Sequence, residues 1–177
     1  MVACEKCGAP ATVHTYEVNV RVQHFCEKCA ELNGFVMLRP DRIEPRLRPI
    51  LNAGGLFSLV PPKDRGSADT VLVALLEAEA EYWTGRFPDL GVDWRAVADG
   101  LRRVPSDAAR HSLGPALGAA IVLANEPPDN AGLVRSEHLL AGFLRSHARL
   151  RAEIERQGRK VDALLDQLTE SLRNRTE

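Results

Sequence analysis

No stretch of this 177-residue chain is apolar for long enough to cross a bilayer. The longest run, from Leu117 to Ala124, includes a glycine and stops far short of the roughly 20 residues a membrane helix needs. An excess of charge is missing too, with 23 basic against 24 acidic residues, so no global field draws in nucleic acid or an anionic membrane. Aromatic residues make up only 5% of the chain, and none interleaves with basic residues along a strand as nucleic-acid readers of that type require. The chain has no Walker lysine motif, which excludes an ATP-driven motor, and no nucleophile, base and orienter converge, so no enzymatic activity is expected. The N-terminal residues carry no signal-peptide pattern, and the expected setting is a reducing cytoplasm.

Cysteine is scarce as well, but all four copies are placed. Cys4-Glu-Lys-Cys7 is followed after eighteen residues by Cys26-Glu-Lys-Cys29. Zn²⁺ takes four tetrahedral thiolates, and two residues between thiolates let one tight turn supply two of them. Gly8 and Ala30 follow the two pairs, where small residues leave backbone amides room to approach sulfur. Two disulfides or four separate buried thiols are the competing readings. The spacing, with no cysteine left over, favours one Zn²⁺ held by Cys4, Cys7, Cys26 and Cys29 in a small ribbon over residues 1–35. Such a segment is too short to bury a core, so the metal supplies its folding energy. Between the pairs, Val18, Val20 and Val22 alternate with Asn19, Arg21 and Gln23, the period of a half-buried strand. His14 and His24 flank the knuckles, and four thiolates leave no open position for either as a ligand.

Residues 36–66 fit no long element. Pro40, Pro45, Pro49, Pro61, Pro62, Gly54, Gly55 and Gly66 interrupt them, which gives a linker with one short helix around Arg46 to Asn52. Arg39, Arg42, Arg46 and Arg48 form a basic cluster there, diluted by Asp41 and Glu44 and therefore read as a solvated linker face.

Residues 67–177 are helical by period. Val71, Leu72, Leu75 and Leu76 share one face, which Trp83 extends, behind Ser67 as a cap. Trp94, Val97, Ala98 and Leu101 repeat the pattern behind Asp93, and Leu113, Leu117, Ala120, Ile121 and Ala124 behind Ser112. Leu139, Leu140, Phe143 and Leu144 follow Ser136; Leu150 and Ile154 belong to a short helix ending near Gly158; Val161, Leu164, Leu165, Leu168 and Leu172 form the last helix.

These helices repeat. Asp69-Thr70-Val71-Leu72-Val73-Ala74-Leu75-Leu76 aligns with Glu137-His138-Leu139-Leu140-Ala141-Gly142-Phe143-Leu144 at an offset of 68, and Gly91, Trp94, Val97, Asp99 and Leu101 align with Gly158, Val161, Leu164, Asp166 and Leu168 at an offset of 67. Two units of this size pack their apolar faces together, so the fold expected is mainly α: a zinc ribbon with a β-hairpin, then an all-α pseudo-twofold domain.

On these residues the helical region resembles the Clp N-terminal domain, the docking module of ClpA and ClpC unfoldases. Ser112 to Leu168, with Ser136-Glu137-His138-Leu139-Leu140, is similar to its second repeat, and Ser67 to Leu101 to the latter part of its first. The cysteine segment, Cys4-Glu-Lys-Cys-Gly-Ala-Pro-Ala-Thr-Val-His14 through Phe25-Cys-Glu-Lys-Cys-Ala30, resembles the zinc module of McsA, a partner in the ClpC and arginine-kinase system. The resemblance implies a substrate- or adaptor-binding role, with partners among Clp-type ATPases, their protein substrates and arginine-phosphorylated proteins. It carries a phosphoarginine or peptide site onto Glu137, Asp69 and Ser112. A carboxylate suits a guanidinium and a helix N-terminus suits its phosphate. Against this stands the plain reading of Glu137 as a first-turn acid behind a Ser136 cap, facing the helix dipole. For His138 the plain reading is a backbone partner. The chain departs from the family where the first repeat should open with a helix: Pro45, Pro49, Gly54 and Gly55 leave that helix shortened, displaced or lost. It departs again where Asp69-Thr70 replaces Glu-His.

Two functions therefore compete. One is a non-enzymatic accessory of a Clp-type proteolytic system, an adaptor or substrate-binding protein. The other is a zinc-ribbon nucleic-acid-binding or transcription-associated regulator whose helical domain serves dimerisation. Near-neutral charge makes nucleic acid the less favoured partner, no membrane is expected, and a homodimer is compatible with either.

Overall fold

The computed structural model describes residues 2–11, 13–15, 23–26, 29, 40–53, 68–103, 113–125 and 133–174. It divides into two compact units, Met1–Arg39 and Pro40–Glu177.

In the first unit, strand β1 (Val13–Thr15) pairs antiparallel with β2 (Gln23–Phe25), Val13 opposite Phe25 and His14 opposite His24. The alternating valines expected to continue this strand, and residues 27 and 28, lie outside the described residues. Ahead of β1, Ala3 and Pro10 form an isolated antiparallel bridge that closes a turn around Cys4–Cys7. Burial is slight: among the described residues the core is Cys4 and Phe25, with Cys26 and Cys29 packed against them.

The second unit is mainly helical, with seven α-helices among its described residues. They are α1 (Arg48–Ala53), α2 (Ala68–Arg86), α3 (Trp94–Arg103), α4 (Gly114–Ala124), α5 (Ser136–Ser146), α6 (Ala148–Arg156) and α7 (Val161–Arg173). Spacing explains their faces. In α2, Ala68, Val71, Leu72, Leu75, Leu76, Ala80 and Trp83 are buried at three-and-four steps, and the polar Glu79 lies in the same stripe. Trp83 meets Trp94 of α3 edge-on at 5.3 Å. Helix α5 is buried on every side from Ser136 to Leu144, as a central helix must be. It crosses α4 closely: a Cβ on Gly142 would collide with the Ala116 carbonyl oxygen, so only glycine permits this approach.

The duplication is visible in the elements themselves. Helices α2 and α5 begin at Ala68 and Ser136, 68 residues apart, and α3 and α7 at Trp94 and Val161, 67 apart. Gly91 and Gly158 hold equivalent positions ahead of α3 and α7, and both adopt left-handed conformations, φ 57° and 75°. The halves differ at one step. Where α2 runs unbroken through Glu79, the equivalent His147 is extended and separates α5 from α6. Its ring then caps α6, Nδ1 accepting from the Leu150 N–H at 3.2 Å.

Three expectations change here. Ser136 does not cap α5; it is the first helical residue and Arg135 occupies the extended cap position. The short helix expected around Arg46 to Asn52 begins two residues later, as α1 (Arg48–Ala53), and residues 54–67 that follow it lie outside the described residues. Residues of the stretch read as linker also enter the core. Ile43, Leu47 and Leu51 are fully buried, and Ile43 bridges in parallel to Val134. Apolar side chains at 43, 47 and 51 recur every four residues, a period that the intervening prolines obscured. Asp93 caps α3 as expected, its Oδ1 accepting from the Ala96 N–H at 3.0 Å. Ser67 and Ser112 lie outside the described residues.

Candidate metal centre and acidic cluster

The sulfurs of Cys4, Cys7, Cys26 and Cys29 lie within 4.8 Å of one another, and Cys7 Sγ is 3.6 Å from Cys26 Sγ. Four bonds of about 2.3 Å to a tetrahedral ion place sulfurs about 3.8 Å apart, so the group fits a metal such as zinc. Backbone hydrogen bonds set this geometry. The Gly8 N–H reaches the Cys4 carbonyl at 2.9 Å, the Cys4 N–H reaches the Ala9 carbonyl at 2.7 Å, and the left-handed Gly8 lets the knuckle turn back. The Glu5 N–H donates to the His24 carbonyl at 2.9 Å, and the His24 N–H returns to Glu5 Oε1 at 3.2 Å, tying the first knuckle to the strand that delivers Cys26. All four thiols are free of disulfides. Burial pushes the Cys4 thiol up, but backbone donors at Cys26, Lys6 and Cys7 and the Cys7 thiol outweigh it and bring it down to about 6. Hydrogen bonds with Cys26 and Cys7, followed by burial, push Cys29 up to about 12.

The helical unit holds two polar clusters at positions related by the duplication. At the first, Asp69 on α2 is 16% exposed and is held from the second half. Because His147 Nδ1 accepts from Leu150, its proton sits on Nε2, which donates to Asp69 Oδ1 at 2.6 Å. Arg149 bonds Asp69 Oδ2 and also donates to the Leu101 carbonyl at 2.7 Å.

At the second, Glu137 is 1% exposed near the start of α5. Tyr82 OH donates to its Oε1 at 2.7 Å and Ser136 Oγ to its Oε2 at 3.2 Å. Arg46 supplies the cation: Nε to Glu44 Oε1 at 3.0 Å, one terminal nitrogen to Glu79 Oε2 at 3.1 Å, the other 3.5 Å from Ser136 Oγ. Its guanidinium lies over the Tyr82 ring, 4.7 Å from the centroid. Partial burial lowers the Arg46 pKa, but the bond to Glu44 and the fields of Glu79, Glu44 and Glu137 outweigh it and the net shift is upward.

Of the residues singled out from sequence, the four cysteines come together, Glu137 and Asp69 fall in separate clusters, and Ser112 lies outside the described residues. His138 Nδ1 accepts from the Arg135 N–H at 3.0 Å, a backbone partner as expected. Arg46 is not the solvated base that its neighbours suggested; it is the hub of the acidic cluster. Glu79, Tyr82, His147 and Arg149 were not singled out, although Glu79 and His147 share the offset of 68 that relates Asp69 to Glu137. An acid at 79 inside an apolar stripe was the readable signal.

No family model, curated protein or solved structure matches this chain. No helix among the described residues is long and apolar enough to cross a membrane.

Proposed function

We propose that this protein is a non-enzymatic accessory of a Clp-type ATP-dependent protease or chaperone system, binding proteins through a pseudo-twofold helical domain and carrying a structural zinc ribbon. The observation that carries the reading is the duplicated placement of Asp69 and Glu137, each second in its helix and each in a polar cluster completed by another segment. Zn²⁺ at Cys4, Cys7, Cys26 and Cys29 closes its own shell with four thiolates and organises a unit whose core, among the described residues, is Cys4 and Phe25 with Cys26 and Cys29 packed against them. The helical unit offers a buried carboxylate, Glu137, beside an aromatic ring, a combination suited to a guanidinium, and arginine-phosphorylated or plain arginine peptides are the ligand class this supports.

Two experiments test the proposal. Elemental analysis of protein purified without chelators should find one zinc per chain, and Cys26→Ser should remove the metal and unfold residues 1–39 while the unfolding transition of the helical unit persists. Absence of stoichiometric metal defeats the ribbon. In calorimetric titration at fixed salt, arginine-phosphorylated peptides should bind more tightly than unmodified ones, and Glu137→Ala should lose most of that preference. Equal affinity for both peptides, or no binding, defeats the phosphoarginine reading.

A further inference from the structure

We infer that Arg46 is a resident pseudo-ligand, a latch that occupies in cis the guanidinium seat of the Glu137 cluster and must swing out before an arginine from another protein enters. The inference rests on the docking function proposed above and adds its regulation. What sits in the cluster identifies what the cluster accepts. A planar cation is stacked on Tyr82 and bridges Glu44 and Glu79, while the Tyr82 hydroxyl donates a hydrogen bond to Glu137. Arg46 bridges Glu44 and Glu79 directly and lies in the field of Glu137, and Glu79 and Glu137 are 5% and 1% exposed.

The latch is built to move without unfolding the segment that carries it. Arg46 lies on the turn Pro45–Leu47, whose backbone is anchored by fully buried Ile43, Leu47 and Leu51. Its side chain is 40% exposed, so the guanidinium reaches water by rotation about its own stem. The duplicated cluster shows the alternative. There the donors that close on Asp69 are His147, itself buried and fixed by its cap of α6, and the cation Arg149, tied back to the Leu101 carbonyl. One cluster is closed by the core and the other by a displaceable side chain, so each chain offers one seat. A tethered competitor lowers apparent affinity by the fraction of time the seat is open.

The test is calorimetric titration of the full chain with a peptide bearing one arginine, phosphorylated in one arm and plain in the other. Arg46→Gln should tighten binding of both forms by about tenfold, the gain expected if the seat is open about a tenth of the time. Arg46→Lys, which keeps the charge but loses the planar, stacked fork, should give a smaller gain and guards against misfolding of the neutral variant. If the wild-type chain binds and both variants bind equally or less tightly, the latch is wrong and the docking function stands. If neither wild type nor variants bind either peptide, the latch and the docking function fall together.

Discussion

The two halves of the helical unit share element order, turn glycines and the spacing of their first-turn acids, yet they invest those acids differently. Asp69 accepts from His147 and pairs with Arg149 across the halves, in a network that spans α2, α6 and the end of α3. Glu137 sits with Glu44, Glu79 and the Arg46 guanidinium, which comes from the segment before α1. A duplicated scaffold therefore carries one polar cluster fixed like a structural bolt by buried or tethered donors and one closed by a side chain that is 40% exposed.

The largest expected effect follows directly. Asp69→Ala should cost about 2–4 kcal/mol, because it removes the carboxylate that accepts from buried His147 Nε2 and pairs with Arg149. Glu137→Ala, though its residue is the more buried, should cost less, about 1–2 kcal/mol, since it gives up the Tyr82 and Ser136 bonds while Arg46 keeps Glu44 and Glu79 as partners. Chemical denaturation of the two variants decides this. Equal costs would mean the clusters are energetically alike and the contrast between bolt and seat is only geometric.

Much of this contrast was half-legible. The three-and-four periods located the helices from residue 68 onward, the offsets of 68 and 67 located the duplication, and the cysteine spacing located the four-sulfur cluster, because each is a local regularity of the sequence. What sequence did not disclose is long-range pairing. Arg46 meets Glu79 and Ser136 across 33 and 90 residues, and neither proline-rich neighbours nor local charge reveal that its turn is pinned by Ile43, Leu47 and Leu51. The separate short helix of Leu150 and Ile154 was legible, but the residue that caps it was not. A histidine within an apolar helical period reads as core until its ring is seen capping the next helix.

A middle-sized effect sharpens the likeness of the halves. Gly91→Ala and Gly158→Ala should each cost about 1 kcal/mol, the strain of a left-handed conformation on a residue with a Cβ. The surroundings differ: a Cβ at 158 meets open space, while one at 91 meets the guanidinium of Arg159. That group is the tip of a flexible, exposed side chain and swings aside cheaply, so thermal melts of the two variants should agree within a few tenths of a kcal/mol. A much larger loss at 91 would show that Arg159 is held in place and that the first-half turn is more constrained than its counterpart.

The smallest effect compares Glu81 with Arg149, which the offset of 68 makes equivalent. Arg149 points inward to Asp69 and the Leu101 carbonyl and is 21% exposed, so Arg149→Ala should cost about 1–2 kcal/mol through two lost hydrogen bonds. Glu81 pairs with Arg95 at 2.7 Å, but the two side chains are 86% and 70% exposed. Water and salt screen that pair and ordering two long side chains opposes it, so Glu81→Ala should change stability by less than about 0.5 kcal/mol, and the difference should shrink further as salt is raised. Denaturation at low and high salt separates the cases. A Glu81→Ala cost that matched Arg149→Ala and persisted in salt would place a second bolt on the first half, and the asymmetry between the halves would no longer hold.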